Sequence, residues 1–308
     1  MHSTNSSPSF NPQVEALLPL RLSHSALDTL QLCERKFQLD RLMISATRDE
    51  SEHLTFGTAY GIGVANYLTY RDPDRTLLAC WLAYNPVINY GNKTQETCIA
   101  ALQSSFPALD TLLDDYALVS FNSKPATELG FRLNVNDNAY YVGYIDAVLQ
   151  HRYTGKFYIF ECKHTGLLLE DLTPLYKHSG QALGYSVALD EIVGSEQAAY
   201  GVIYFVCQLQ REFGVSKVHV IPFEKTLADR FNWFLTLGLD IKHIEEMLSL
   251  DVWPRRYQGC LKYNKPCFHF GTCHMHSLDR LKPAESDTKQ YDFTFDLEAL
   301  IASHIARL

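Results

Sequence analysis

The chain has 308 residues, of which 46% are hydrophobic and 20% are charged, so a sizeable core can be buried and a disordered chain is excluded. We find no apolar run of about 18 residues and no basic, apolar leader, which predicts a cytoplasmic protein without a membrane span. The formal net charge of −8 lowers the expected non-specific affinity for nucleic acid. It does not exclude a DNA partner, because a local groove can be positive while the outside is acidic.

The first part of the chain is predicted to be mainly helical. Residues 1–20 are rich in Ser, Asn and Pro and resemble a flexible arm. Ser23, with Ser25 as the alternative, is placed to cap a helix that runs to about Leu42. Apolar periodicity predicts a second helix over Gly57–Tyr70, and a largely helical segment over residues 93–118.

The middle of the chain alternates between strand and helix patterns. Strands rich in Val, Ile, Tyr and Phe are predicted at Thr127–Val135, Tyr140–Gln150, Lys156–Lys163, Tyr200–Cys207 and Lys217–Pro222. Helices are predicted at Pro174–Leu189 and Thr226–Leu248. The tail, residues 277–308, is polar to about Lys289, and a short strand or helix is predicted from Tyr291.

Polar residues end two neighbouring strands of this predicted sheet. Asp146 ends the apolar part of one strand, and Glu161 and Lys163 end the next, with a turn around Thr154-Gly155 between them. Because side chains two residues apart share a strand face, Glu161 and Lys163 are expected side by side. Two carboxylates and a lysine at one strand edge suit a divalent cation beside a water nucleophile, although a solvated face with one ion pair fits the same residues.

The helix after this hairpin carries Gln181 and Tyr185 four residues apart, which places both on one helix face. That face could belong to a site, or it could hold a core Tyr with a Gln at its rim. Near the C-terminus, Cys260, Cys267 and Cys273 are too widely spaced for a typical zinc ribbon. The eight cysteines are spread along the chain, unlike those of a secreted disulfide scaffold, which favours a reducing compartment and metal or cluster ligation.

Taken in order, these motifs resemble the RecB-type nucleases of the PD-(D/E)XK superfamily. The ordered set is Ser-x-Ser-x-Leu followed by Cys33-x-x-Lys-Phe, then Gly-Tyr-Ile-Asp146, Glu161-Cys-Lys163, Gln181-x-x-x-Tyr185 and the three late cysteines. The likeness is greatest to the iron–sulfur branch, which includes AddB-type, CRISPR-associated and phage exonucleases. It implies an α/β, restriction-endonuclease-like core with a central mixed β-sheet flanked by helices. A single nuclease domain over residues 21–276 is expected, with a helical insertion at about 57–118 and a Cys-rich C-terminal segment.

The resemblance also implies roles for individual residues. Asp146, Glu161 and the backbone carbonyl of Cys162 would bind Mg²⁺ or Mn²⁺, both of which prefer oxygen ligands. Lys163 would orient the water or the scissile phosphate, and Gln181 and Tyr185 would position these groups. Glu128, on the first core strand, is a further candidate near the metal, with an exposed strand Glu as the alternative. The chain departs from the family at Gly61, where RecB-type members usually have a His ligand.

The cysteines have a family counterpart as well. Cys33, Cys260, Cys267 and Cys273 would together hold a [4Fe–4S] cluster and tie the two ends of the domain together. Two alternatives remain open. One is a Zn²⁺ site that includes His269, His274 or His276, and the other is four plain thiols.

The function expected from the resemblance is metal-dependent hydrolysis of DNA by an exonuclease of phage or bacterial recombination or repair. DNA is the expected partner, and a helicase or recombination protein would be a separate chain, because no helicase motif is present. Two other functions remain: a catalytically weak nucleic-acid-binding protein of the same fold, and a cysteine-based metal or redox sensor.

Overall fold

The computed structural model describes residues 15, 17–43, 52–85, 87, 93–194, 197, 199–209, 216–262, 265–274 and 290–307. Residues of the predicted N-terminal arm up to 14, and the polar part of the tail, residues 277–289, lie outside this range. The chain divides into two compact units. The first comprises Met1–Thr47, Phe131–Gly143 and Phe231–Leu308, and the second comprises Arg48–Gly130 and Tyr144–Arg230. A single domain over residues 21–276 stays a prediction.

Strands and helices alternate along the chain, as the sequence predicts. The strands are β1 (Leu20–Ser23), β2 (Tyr116–Leu118), β3 (Ser120–Phe121), β4 (Lys124–Pro125), β5 (Thr127–Asn136), β6 (Ala139–His151), β7 (Phe157–Thr165), β8 (Ala199–Leu209), β9 (Ser216–Thr226), β10 (Leu261–Lys262), β11 (Lys265–Pro266) and β12 (Phe293–Asp296). The helices are α1 (His24–Leu32), α2 (Glu34–Phe37), α3 (Glu52–Tyr70), α4 (Pro73–Ala83), α5 (Gln95–Asp115), α6 (Leu169–Lys177), α7 (Gly180–Val193), α8 (Leu227–Leu250) and α9 (Leu297–Ile305). A π-helix spans Gln38–Leu42, and a 3₁₀-helix spans Tyr257–Cys260.

The first predicted helix begins where expected but is not continuous. Ser23 is its N-cap, with its hydroxyl accepting a bond from the backbone N–H of Ala26 at 3.4 Å. The prediction of one helix to Leu42 is wrong, because Cys33 is extended and separates α1 from α2. Beyond the break, the N–H of Arg35 donates to the carbonyl oxygen of Pro254 at 3.0 Å instead of continuing the helical ladder.

The second unit contains the predicted hairpin within a mixed sheet. Strand β7 pairs antiparallel with β6 and parallel with β8, and β8 pairs antiparallel with β9. Gly155 takes a φ of +70° at the hairpin turn, a conformation that glycine adopts without steric cost. One sheet face packs against α3, α4 and α5 in a core that includes Phe56, Leu102 and Phe160. This arrangement confirms the α/β class with a mixed sheet and helices against it.

Two helical predictions in this unit need correction. The prediction of a single helix over Pro174–Leu189 is wrong, because α6 ends before His178 and Ser179 caps the separate helix α7. Helix α4 was not predicted, although Asp72 caps it and Pro73 occupies its first turn, which is a recognisable start signal. Within the described residues, no helix is long and apolar enough to cross a membrane.

The first unit combines the chain ends with parts of β5, β6 and α8. Strand β1 pairs in parallel with β6 from Ala139 to Val142, and β12 pairs in parallel with β5 from Phe131 to Asn134. The segment after Tyr291, predicted as a short strand or helix, contains both, namely β12 and α9.

Candidate active site

Asp146 lies where the hairpin of the second unit stops pairing as a regular ladder. The last backbone pair is Ala147 with Phe160. One residue further, the carboxylate Oδ2 of Asp146 accepts a hydrogen bond from the backbone N–H of Cys162 at 2.7 Å. A side chain therefore takes the place of the backbone where the β6–β7 ladder ends, inside β6, and this bond holds the carboxylate beside Glu161.

Glu161 and Lys163 meet on one face of β7, as their spacing predicts. Lys163 Nζ lies 2.5 Å from Glu161 Oε1, and the Glu161 side chain is only 2% exposed. The other carboxylate oxygen, Oε2, is also buried and has no hydrogen-bond partner among the residues that the structure describes. An unpaired buried carboxylate oxygen is costly in a folded protein, so this atom is suited to a ligand that the chain itself does not provide.

A chain of hydrogen bonds links the lysine to helix α7. Lys163 Nζ donates to Gln181 Oε1 at 3.1 Å, and Gln181 Nε2 donates to Tyr185 Oη at 2.8 Å. The structure thus brings together the two residues that the sequence places on one helix face and the lysine of the hairpin. The result is a fixed position for the Lys163 ammonium group between a carboxylate and an amide.

Burial and mutual repulsion make the carboxylates of this site weak acids for their type. Burial first, and then the nearby Asp146 charge, raise the pKa of Glu161 to about 7 against the opposing effect of Lys163. The pKa of Asp146 is also raised by burial, although Lys163 and the Cys162 N–H oppose the change. Burial and Asp146 raise the pKa of Glu128 to about 7, but this side chain is exposed and solvent screens it most.

The ammonium group shows the complementary behaviour. Burial opposes the charge of Lys163, but the carboxylates of Glu161 and Asp146 outweigh burial and raise the lysine pKa. Lys163 therefore carries a positive charge at neutral pH, while the neighbouring Glu161 carboxyl, with a pKa of about 7, exchanges protons in the physiological range. A cation that replaces those protons would relieve the repulsion.

These residues line a cleft of about 600 Å³ in the second unit. Helix α3 forms one wall, and beyond its own backbone no described atom lies within 4 Å of the position a Cβ on Gly61 would occupy. The imidazole that the resemblance to RecB-type nucleases leads one to expect here therefore has open space among the described residues in its place. Another imidazole, that of His164, lines the same cleft and packs on Phe56, with ring centroids 5.0 Å apart.

The cleft contains the donor set of a hard divalent cation. Asp146 and Glu161 supply oxygen ligands, and the Oε2 atom of Glu161, which has no partner among the described residues, is available to a cation. Glu128 lines the same cleft, and its backbone has the unusual φ of +51°. The residues therefore fit Mg²⁺ or Mn²⁺.

The four candidate cluster cysteines lie near one another in the first unit. Partial burial first, and then the thiols of Cys273, Cys33 and Cys267, raise the pKa of Cys260. The backbone N–H of Cys267 donates to the carbonyl oxygen of Cys260 at 2.8 Å. A thiol set gathered from residues 33 to 273 suits a metal or a cluster, because thiolate sulfur is a ligand of both.

Two close approaches hold Cys33 against the late segment. The N–H of Arg256 donates to Cys33 Sγ at 3.4 Å. A Cβ on Gly259 would lie 3.1 Å from Cys33 Cβ, so only glycine leaves this much room. Of the histidines considered as zinc ligands, His269 is paired with Asp40 at 2.6 Å, and His276 lies outside the described residues.

Comparison with known families agrees with this geometry. The family model described as the PD-(D/E)XK nuclease superfamily matches residues 21–274. The chain belongs to the PD-(D/E)XK nuclease superfamily. Proteins of this superfamily are typically metal-dependent nucleases, and the carboxylates and lysine in the cleft are the residue types that name it. The family model describes the superfamily as a whole, so membership of the iron–sulfur branch stays a prediction.

Other comparisons add little. No curated protein matches the chain. Among solved structures, one entitled "Crystal structure of SSO0001" is similar at 14% identity over 70% of this chain and 84% of that chain, with a TM-score of 0.28. Likeness at that level carries no argument about this PD-(D/E)XK protein.

Some features of the site were missed by reasoning from the sequence. The predicted contribution of Cys162 was its carbonyl group, whereas the contact seen in the structure is its N–H to Asp146. The carbonyl role stays a prediction. The positive φ of Glu128 has no sequence signal, because non-glycine residues rarely adopt it. His164 follows Lys163 directly, but strand alternation predicts that its side chain lies on the opposite face of β7 from Lys163, so the sequence did not suggest that both line one cleft.

Proposed function

We propose that this protein is a Mg²⁺- or Mn²⁺-dependent deoxyribonuclease that hydrolyses phosphodiester bonds as an exonuclease. The observation that carries the proposal is the buried Oε2 of Glu161, which has no partner among the described residues and lies in a cleft shared with Asp146 and Lys163. A solvated strand face with one ion pair would leave neither a buried carboxylate without a partner nor a pKa near 7.

Asp146 and Glu161 would hold the metal ion, with the Cys162 carbonyl and Glu128 as further oxygen ligands. When bound, Mg²⁺ or Mn²⁺ supplies a Lewis acid that stabilises negative charge on the phosphate and lowers the pKa of water. The bond from the Cys162 N–H fixes the Asp146 carboxylate in one orientation. A fixed ligand loses little freedom when the ion binds.

Lys163 acts as a fixed positive charge at the reacting phosphate. Its raised pKa keeps it protonated at neutral pH, so it donates hydrogen bonds and does not serve as a base. The bonds to Glu161 and Gln181 restrict the otherwise flexible side chain. Gln181 and Tyr185 are positioning residues, since they act through Lys163.

The cysteine set is assigned to a [4Fe–4S] cluster of the RecB-type branch, with Zn²⁺ as the alternative. Support comes from the grouping of Cys33 with Cys260, Cys267 and Cys273 and from the N–H of Arg256 at the Cys33 sulfur. Peptide N–H bonds to sulfur are one of the means by which proteins tune iron–sulfur centres. A role in phage or bacterial DNA recombination or repair completes the proposal.

The test is cleavage of an end-labelled DNA strand with Mg²⁺, with Mn²⁺ and with EDTA. Asp146→Asn, Glu161→Gln and Lys163→Met should each lower the single-turnover rate by about a thousandfold or more, because groups that act as a unit fail together. Glu224→Gln is the matched control, since it neutralises an exposed carboxylate of the same unit and should cleave normally. Normal cleavage by the Asp146 variant would reject the proposal. A wild type that binds DNA without cleaving it would favour a catalytically weak binding protein.

A further inference from the structure

A second, smaller pocket lies in the first unit, beside the cysteine set. Its volume is about 170 Å³, well below the roughly 300–1,000 Å³ of sites that enclose a whole small molecule. It therefore has room for one chemical group, such as a single phosphate. It is lined by Arg35, Asp251, Trp253, Arg255, Cys273 and His274.

Arg35 forms the fixed cationic floor of this pocket. The residue is only 5% exposed. Its Nε donates to the carbonyl oxygen of Cys273 at 3.0 Å, and its backbone N–H donates to that of Pro254. A buried guanidinium held at both its backbone and its side chain is preorganised, so a ligand would not have to order it.

Arg255 provides a second guanidinium group, and no ion pair with a described residue neutralises it. It is exposed and forms no hydrogen bond or ion pair with the residues that the structure describes. Its neighbour Arg256 differs, since its guanidinium donates to both carboxylate oxygens of Glu34. Two consecutive arginines thus have different environments, and Arg255 is the one directed to the pocket.

The charges of the pocket favour an anion. Arg35 and Arg255 both line the pocket, and both carry a positive charge because guanidinium pKa values lie far above neutrality. Apart from the Cys273 sulfur, which is assigned to the cysteine set, two guanidinium groups lie with the one carboxylate of Asp251, and an anion would relieve the repulsion between the guanidinium groups.

Trp253 gives the pocket an aromatic wall. Its ring stacks on Phe37, with centroids 6.1 Å apart and an interplanar angle of 24°. This contact supports one part of the indole, while the side chain remains partly exposed at the pocket. An aromatic ring next to paired cations is the arrangement by which proteins hold single strands, with a base against the ring and a phosphate on the cations.

We propose that this pocket binds one phosphate of a single-stranded DNA segment through Arg35 and Arg255, with an adjacent base against Trp253. The choice of DNA rests on the proposed nuclease function, whereas the preference for a phosphate rests on the pocket itself. The pocket would give the protein a contact with the strand that is separate from its cleavage chemistry. It also offers an acidic protein a local site for an anionic polymer.

The experiment measures binding of a fluorescent oligothymidylate by anisotropy in EDTA over a range of salt concentrations. Arg255→Ala should weaken binding severalfold and reduce the slope of log affinity against log salt by about 0.7, the value for one phosphate contact with a single strand. Trp253→Ala should weaken binding by about tenfold, and this loss should vanish with an abasic oligonucleotide. Lys242→Ala is the matched control, because it removes an exposed cation of the same unit and should change neither quantity.

Two results would overturn the proposal. One is an Arg255→Ala protein with the affinity and salt slope of the Lys242→Ala control. The other is competition by inorganic phosphate that depends on Arg255 while oligonucleotide binding does not, which would assign the pocket to free phosphate. Arg255→Gln repeats the test if the alanine variant fails to fold.

This test is separable from that of the nuclease function. Because binding is measured in EDTA, it gives a result whether or not the chain cleaves DNA. A protein that binds through Arg255 but never cleaves would contradict the nuclease function alone.

Discussion

Glu161 is the residue on which the chemistry of the cleft depends. One of its carboxylate oxygens is 2.5 Å from Lys163, and the other is buried without a partner among the described residues. The ion pair satisfies half of the carboxylate and leaves the other half directed to a ligand. The same residue is therefore both a structural partner of the lysine and a candidate metal ligand.

Gln181 offers a test of positioning without removal of a charge. Gln181→Ala would free the Lys163 ammonium from the amide that fixes it. We expect the single-turnover cleavage rate to fall by about 10- to 100-fold, the usual effect of losing a group that orients a catalytic one. Metal affinity and thermal stability should stay near those of the wild type, because Glu161 and Asp146 are untouched. An unchanged rate would show that Gln181 belongs only to the packing of α7, and Gln181→Glu should restore part of the activity.

The raised pKa values predict how stability changes with pH. In the folded protein the pKa of Glu161 is about 7, above its ordinary value of 4.5, so folding favours the protonated form. This contribution to stability is complete below about pH 4.5 and is lost as pH rises through 7. In EDTA, the wild type should therefore lose more thermal stability than Glu161→Gln between pH 5 and about pH 8.

Metal ions should reverse that trend. Because Mn²⁺ competes with protons for the carboxylates, it should raise the melting temperature more at about pH 8 than at about pH 6. The measurement is thermal unfolding by circular dichroism in each buffer. Equal pH dependence in wild type and Glu161→Gln would contradict the account.

Among the helices and strands, apolar periodicity predicts the positions of the strands well, but it predicts poorly where a helix is interrupted. The core strands β5 to β8 begin and end within two residues of their predicted bounds, because alternating or continuous apolar residues reflect burial directly. The break at Cys33 could not be predicted, since it depends on a bond between Arg35 and the distant Pro254. The break before α7 had a local signal, Ser179-Gly180, that the apolar periodicity of the whole segment concealed.

The site followed from its motif for a similar reason. Asp146, Glu161 and Lys163 lie on paired strands, where sequence spacing determines which side chains share a face and an edge. The burial and hydrogen bonding of each group could not be predicted from the sequence, because they depend on helices that are distant along the chain. The open space beside Gly61 could not be predicted for the same reason.

The proposed cluster joins elements from the two ends of the sequence, so its ligands can be tested together. Cys33→Ser should lose iron and sulfide as completely as Cys267→Ser, because each removes one thiolate of the same set. Both variants should also melt earlier, since α1 and the late segment would no longer be tied through the cofactor.

Iron content also provides the control for these variants and the results that would contradict the cluster. Cys80→Ser changes a buried thiol of the second unit and should keep its iron. Iron retained by Cys33→Ser would show that the fourth ligand is another group. Zinc without iron, in protein purified without oxygen, would favour the zinc alternative and leave the nuclease proposal standing.

At the scale of the whole molecule, two kinds of chemistry occupy different compact units. The carboxylate cleft belongs to the second unit, and the cysteine set and the arginine pocket belong to the first. With a net charge of −8, attraction for DNA is expected at local cationic sites, so binding should be weak and sensitive to salt.

The proposal that Asp146 and Glu161 bind a catalytic divalent metal ion can be tested by titration with Mn²⁺ followed by electron paramagnetic resonance. The wild type should bind Mn²⁺ at a site that Mg²⁺ displaces, and Glu161→Gln and Asp146→Asn should each lose that site while Glu224→Gln retains it. Equal Mn²⁺ binding by the wild type and the Glu161 variant would contradict the claim, because the unpartnered carboxylate oxygen would then have no part in holding the metal.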